Sequence, residues 1–325
     1  MRRWRPWLVS LTLTIGIFAY LFSQIDSAEL VRTARGLRRD YLAGFVAVLL
    51  MGVGFRAVRF WVLLGRSATL RTLVAITLAR NLFVDLLPAR LGELSYVYLL
   101  ARRTGCTVED GLASLVLAVL FDVVALTPLL VLAVAVVGGG GAVPAGWLAA
   151  LSVGLAAVAY TAMRVAAPVA LFVANRVDTP GGGWRARTSG WLRGTARALR
   201  AAWARRIFGT VMLLSLGVRL CKFGSYYLLV LSIMAPLGYT AAGLGFFRVF
   251  LGVVSAELAA ALPIPAIASF GTYEAAWAFS FSKLGFTAEH AIVTGILAHA
   301  VSQLVEYTLG GAALAYVMRP EAGRP

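Results

Sequence analysis

A chain of 325 residues with 60% hydrophobic and 14% charged side chains lacks the polar surface that a water-soluble globule needs, since soluble domains carry roughly 25% charged residues. The formal net charge of +16 is nearly all arginine, and it sits in short connections between apolar runs. That is the positive-inside pattern of a membrane protein, so the basic balance points to anionic lipid headgroups and not to nucleic acid.

The N-terminus, Arg2-Arg3-Trp4-Arg5 before an apolar run, resembles a signal peptide without a small-residue cleavage site, and reads as an uncleaved anchor. Apolar spans follow at about 7–23, 41–64, 71–87, 108–137, 145–174, 207–234, 243–262 and 286–317. Each is of the order of the ~20 residues that cross a hydrocarbon core as a helix. Shorter apolar stretches, 94–101 and 275–284, follow the third and seventh spans.

Loop charge sets the orientation. Residues 175–206 hold eight arginines against Asp178 alone, so this loop is expected in the cytoplasm. Trp191, Leu192, Leu199 and Trp203 recur there at near-helical spacing, which predicts an amphipathic helix on the inner leaflet, with Gly181–Gly183 as a flexible start. Gly138–Gly146 and Met234–Ala242 carry no charge and are expected outside. Both termini fall in the cytoplasm, and a plasma (inner) membrane is the expected location. The loop 24–40, with Arg32, Arg35, Arg38 and Arg39, is the exception, because this topology places it outside.

Segment 71–101 begins and ends beside inner arginines. At 1.5 Å per residue it barely suffices for two crossings, so a re-entrant hairpin is the simpler expectation, with Leu87-Pro88-Ala89-Arg90-Leu91-Gly92-Glu93 at its tip. Segment 243–284 repeats the pattern from the opposite side. Gly105, Thr107 and Glu109 return as Gly285, Thr287 and Glu289. The predicted fold is therefore an all-α polytopic membrane protein of about six full spans plus two re-entrant helical hairpins, arranged as an inverted repeat. Its single domain, 1–325, divides into half-repeats of about 7–137 and 145–317. Inverted repeats with broken segments near the midplane are a transporter signature.

Charges inside apolar spans are costly, about 2.5–3.5 kcal/mol each on insertion scales, and so mark candidate sites. The first hairpin offers Arg80, Asn81, Asp85, Arg90, Gly92 and Glu93. Asn81 and Asp85 share a helical face, Pro88 breaks the helix, Gly92 permits a tight turn, and the fork of Arg90 suits a phosphate. Glu93 is expected to face Arg90 or a cationic headgroup. The second hairpin offers Arg248, Glu257, Gly271, Tyr273 and Glu274. Arg56, Arg59, Arg219 and Lys222 either snorkel or pair with Asp122 and Glu306. His290 and His299 read as packing or local hydrogen-bonding residues, and Tyr96 and Tyr98 as interface-belt residues. There is no P-loop, His-rich metal motif, nucleophile elbow or Rossmann fingerprint. The reading is a non-enzyme without metal or cofactor.

The stretches Asn81-Leu82-Phe83 through Leu87-Pro88-Ala89-Arg90-Leu91-Gly92-Glu93, and Phe270-Gly271-Thr272-Tyr273-Glu274-Ala275-Ala276-Trp277, resemble the lysylphosphatidylglycerol synthase transmembrane-domain family over about 10–317. That family includes the flippase domain of multiple peptide resistance factors and stand-alone relatives. The resemblance implies a flippase-like fold that moves lipids between leaflets. The cargo is an aminoacylated phospholipid in the best-known members; other relatives are associated with polyprenyl- or dolichol-linked sugars and with hopanoids. By position, Arg90 and Glu93 match the first motif, Gly271 and Glu274 the second. The chain lacks the soluble aminoacyl-transferase domain, so lysyl transfer is not assigned to it. Ala268-Ser269-Phe270-Gly271 stands where some relatives are richer in glycine, which leaves the headgroup open. The expected partners are anionic or polyprenyl-phosphate-linked lipids, with a lipid-modifying synthase and further copies of the chain as candidate protein partners. Two rival functions remain: a non-transporting membrane partner of a lipid or envelope synthase, and an integral glycosyl- or aminoacyl-transferase. The short, uncharged external loops count against the latter.

Overall fold

The computed structural model describes residues 16–17, 19–87, 91–138, 145–177, 183–261 and 271–319. All regular structure among them is helical. The helices are α1 (Ser27–Arg35), α2 (Arg39–Leu63), α3 (Leu70–Leu86), α4 (Glu93–Thr104), α5 (Val108–Val137), α6 (Ala145–Val177), α7 (Trp184–Ala204), α8 (Phe208–Met234), α9 (Ala241–Leu244), α10 (Phe246–Ala261), α11 (Thr272–Lys283) and α12 (Ala288–Met318). A 3₁₀ turn, Ala235–Leu237, extends α8. The helices α2, α5, α8 with its extension, and α12 are each long and apolar enough to cross a membrane. Pro128 within α5 and Pro168 within α6 do not break them, as is common where neighbouring groups re-satisfy the backbone in lipid.

The repeated Gly-x-Thr-x-Glu segments fold alike. Gly105 and Gly285 both take positive φ, +71° and +95°. The following threonine hydroxyl then accepts from the backbone N–H three residues on, Thr107 from Asp110 at 3.2 Å and Thr287 from His290 at 3.3 Å. Each caps the start of a long apolar helix.

The chain forms two compact units, one of residues 1–51, 78–93 and 221–312, the other of residues 52–77, 94–220 and 313–325. In the first, α10 and α11 form a tight antiparallel hairpin. Gly252, near the start of α10, lies under the ring of Phe281, near the end of α11, with no room for a Cβ. Trp277 stacks on Phe281 at 4.6 Å between centroids, and Phe223 of α8 meets Phe250 edge-on at 4.5 Å. The helix α12 approaches through glycines. A Cβ on Gly295 would stand 2.9 Å from Trp277, and one on Gly310 2.9 Å from Leu82 of α3. Small residues at such crossings are how helices pack closely where lipid removes the hydrophobic drive between them.

In the second unit α5, α6 and α7 pack on one another. The basic segment is helical, as expected from its periodicity. Its Thr195, Ala196, Leu199 and Ala202 are buried, and Gly194 lies against Glu109 with no space for a side chain. Arg185, Arg187, Arg193, Arg197 and Arg200 stay exposed. The start of α3 and the end of α4 return to one place, where Arg71 and Arg103 sit over the ring of Tyr316 at 5.2 and 5.7 Å. Tyr96 corrects its reading as a belt residue. It is fully buried, stacked on Phe60 at 4.1 Å and hydrogen-bonded to Ser114 at 3.0 Å. Tyr98, 58% exposed, keeps the expected surface position.

The arginines of α2 and α8 do not snorkel away from Asp122. Arg59 Nη1 donates to Asp122 Oδ1 at 2.5 Å and to Ser215 Oγ at 2.9 Å, and Arg219 Nη2 lies 3.6 Å from Asp122 Oδ2. Removing the carboxylate leaves buried guanidiniums uncompensated, which costs roughly 3–5 kcal/mol. Asp122→Ala is expected to lower the melting temperature in detergent sharply, whereas Asp110→Ala, an exposed first-turn residue, should shift it little. Equal melting of the two variants would show that the Asp122 contacts do not support the fold.

Candidate functional site

The site residues belong to the first unit. At the first hairpin, α3 ends when Leu87 N–H donates to Phe83 O at 3.0 Å. Gly92, before α4, lies so close to the Phe83 carbonyl that any Cβ would collide with backbone. This is why a glycine stands there. The turn delivers Glu93 to Arg80, whose Nε donates to Glu93 Oε2 at 2.8 Å while Nη2 donates to the same oxygen. Arg80 Nη1 also donates to Asn81 Oδ1 at 3.1 Å. The two charged side chains are only 11% and 19% exposed. Glu93 thus has Arg80 as a direct partner; the expectation that it faces Arg90 or a cationic headgroup falls on residues and groups outside those described. Pro88, Arg90 and the side chain of Asp85 lie outside the described residues, as do Pro263 and Pro265.

At the second hairpin Gly271 adopts φ +91° and its N–H donates to Glu274 Oε2 at 2.7 Å, closing the first turn of α11. Glu274 is 1% exposed. Its other oxygen, Oε1, is 2.5 Å from His299 Nδ1, and His299 Nε2 is 2.5 Å from the Gln303 side-chain amide. The network assigns a simple direction: Gln303 donates to Nε2, and Nδ1–H donates to the carboxylate. Tyr273 packs its ring on His299 at 4.5 Å. A carboxylate removed from water is thereby held by a backbone amide and an imidazole, without a guanidinium.

Glu257 of α10 pairs with Lys222 of α8 at 2.6 Å. Tyr273 lies within electrostatic range of both Glu257 and Glu274, which brings the second and third acid groups into one neighbourhood. Arg248 does not join them. It is exposed in the first turn of α10, nine residues before Glu257, or roughly 13 Å along the axis. Among the described residues no set of three or more His, Cys, Asp or Glu side chains is placed to hold a metal.

Gln303 was absent from the sequence reading, and Lys222 and His299 were named there as a pairing or snorkelling charge and a packing or hydrogen-bonding residue without being placed at the site. His299 and Gln303 are four apart on α12 and share a face, the same signal that singled out Asn81 and Asp85. The spacing of His299 from His290 hid it, because the true partner is a carboxylate on another helix.

A family model described as the lysylphosphatidylglycerol synthase TM region matches residues 7–310. The chain belongs to this family. A comparison with curated proteins returned no match. The family is defined by a transmembrane region, and the four long apolar helices agree with it, so this is a membrane protein with a lipid-related role. Within this family member both motif segments carry an acid group at a helix start, the partly buried Glu93 on α4 and the buried Glu274 on α11.

The turn geometry yields a clear expectation. Gly92→Ala forces the backbone of the first hairpin apart and should reduce the folded, membrane-inserted fraction, read by size-exclusion fluorescence. Gly209→Ala, at a glycine with open space around it, is the control. Wild-type behaviour of Gly92→Ala would show that the hairpin turn does not pack as described.

Proposed function

We propose that the protein is a lipid translocase that carries an anionic, aminoacylated or polyprenyl-linked lipid between leaflets. The carrying observation is the set of polar pairs at and near the hairpins: the ion pairs of Arg80 with Glu93 and of Lys222 with Glu257, largely withdrawn from the surface, and the buried hydrogen bond of His299 with Glu274. In lipid such groups persist only when paired, and each pair can be exchanged for the matching group of a headgroup, a phosphate for the arginine or lysine and an amine for the carboxylate. The hairpin form supports the same reading, because both helical hairpins return to the place from which they start. On this proposal they are re-entrant elements of an inverted repeat, and the headgroup passes between leaflets while its tails stay in lipid. Arg90, at the tip motif, contacts the phosphate. The acyl-chain-facing surface is apolar and the long helices number about six, in an inner membrane with both termini cytoplasmic.

A second reading, a non-transporting partner that recruits a lipid synthase, draws on one feature, the exposed arginines of α7. The two readings predict opposite mutational maps. Leaflet exchange in proteoliposomes should be measured with fluorescent phosphatidylglycerol, lysyl-phosphatidylglycerol and a polyprenyl phosphate. Loss of one charge-assisted hydrogen bond is worth roughly 1.5–3 kcal/mol, about 10- to 100-fold in rate if it acts on the transported state. Glu274→Gln and Arg80→Gln should slow exchange of one lipid by at least about tenfold while the protein remains inserted. Normal exchange by both variants sinks the translocase site. Exchange by neither variant nor wild type, with loss of synthase binding on neutralising α7, establishes the partner reading.

A further inference from the structure

Among the described residues of the second unit, two guanidiniums withdrawn from the surface face one carboxylate. Arg59 is 2% exposed and Arg219 15%, and both face the single carboxylate of Asp122, itself 18% exposed. Arg56, half-buried on the next turn of α2, lies within electrostatic range of the same carboxylate. Two guanidiniums against one carboxylate leave at least one excess positive charge at the midpoint of the thirty-residue α5, where insertion of an unpaired arginine is most costly.

The hydrogen bonds show the same deficit. Asp122 is taken up mainly by Arg59, whose Nη1 also reaches Ser215 Oγ. Arg219 touches Asp122 through one nitrogen at 3.6 Å, beyond hydrogen-bonding distance. Arg59 Nε and Arg219 Nε are both buried without an acceptor. Buried N–H donors are paired in the great majority of native structures. Ser215 accepts from Arg59, which leaves its own proton to be donated. Among the described residues, three donors and an excess positive charge thus lie around one acceptor group, the Asp122 carboxylate. Around this point α5 exposes Val119 and Val123, and α8 exposes Leu220, an apolar surface suited to acyl chains.

We propose that Arg59, Arg219 and Ser215 form a binding site for the phosphate group of an anionic phospholipid, with Asp122 holding the arginine forks in place. A phosphate offers several acceptor oxygens in the geometry that guanidinium forks match. The adjoining exposed valines and leucine select a headgroup attached to acyl chains over a free ion. The site requires the chain to lie in a membrane but does not depend on translocation.

The test uses the full chain in phosphatidylcholine nanodiscs, titrated with phosphatidylglycerol while melting temperature and lipid retention by native mass spectrometry are followed. Phosphatidylglycerol should raise the melting temperature, further phosphatidylcholine should not, and inorganic phosphate should neither mimic nor displace the lipid. Arg219→Gln should weaken phosphatidylglycerol retention roughly tenfold, and Arg219→Lys, which keeps charge without the fork, should fall between. Because either variant can misfold, a phosphatidylglycerol with a photoreactive group near its phosphate is applied to the wild type. Crosslinks should map to the peptides that contain Asp122 or Arg219. Displacement by inorganic phosphate overturns the lipid assignment. Equal retention in Arg219→Gln, or crosslinks confined to other segments, overturns the site.

Discussion

An ionisable group in the apolar interior of this protein needs a partner there, from the chain or from a bound headgroup. In water an arginine or glutamate is solvated wherever it points. In hydrocarbon it is tolerated only when another side chain or a backbone group takes its hydrogen bonds. Arg59 with Asp122, Arg80 with Glu93, Lys222 with Glu257 and His299 with Glu274 meet that requirement between residues far apart in the chain or on separate helices. They place α2 against α5 and α8, the end of α3 beside the start of α4, and α11 beside α12.

Glycine is the steric counterpart of those pairs. Polar contacts across helices need close backbones, and Gly252, Gly295 and Gly310 permit them where any Cβ would strike a ring or a neighbouring helix. Gly92 and Gly271 serve a related purpose at the hairpins. Each lets the chain turn so that the acid group just beyond it, Glu93 or Glu274, enters the protein at a helix start, where the free N–H groups favour negative charge.

The amphipathic α7 solves a different problem. Its apolar and small residues face α5 and α6, and its arginines stay exposed. This distribution suits a helix at a boundary between protein, water and anionic headgroups.

Much of this architecture was legible in the sequence. Runs of apolar residues long enough for a bilayer can only be helices, because no other open structure satisfies its own backbone in lipid. The limits of α5, α8 and α12 fall within a few residues of the apolar runs. The repeated Gly-x-Thr-x-Glu stood out in the sequence as a recurrence, and the structure adds that each copy caps a helix start. Which charge meets which is a different kind of fact. Helical spacing relates residues three or four apart, and so Asn81 and Asp85, or His299 and Gln303, are neighbours by sequence alone. The pairing of Glu274 with His299, of Lys222 with Glu257, of Arg59 with Asp122, and of Glu93 with Arg80 depends on how helices cross. Those crossings are set by side-chain volume on facing helices, a property of two surfaces at once, and only the tertiary structure contains it.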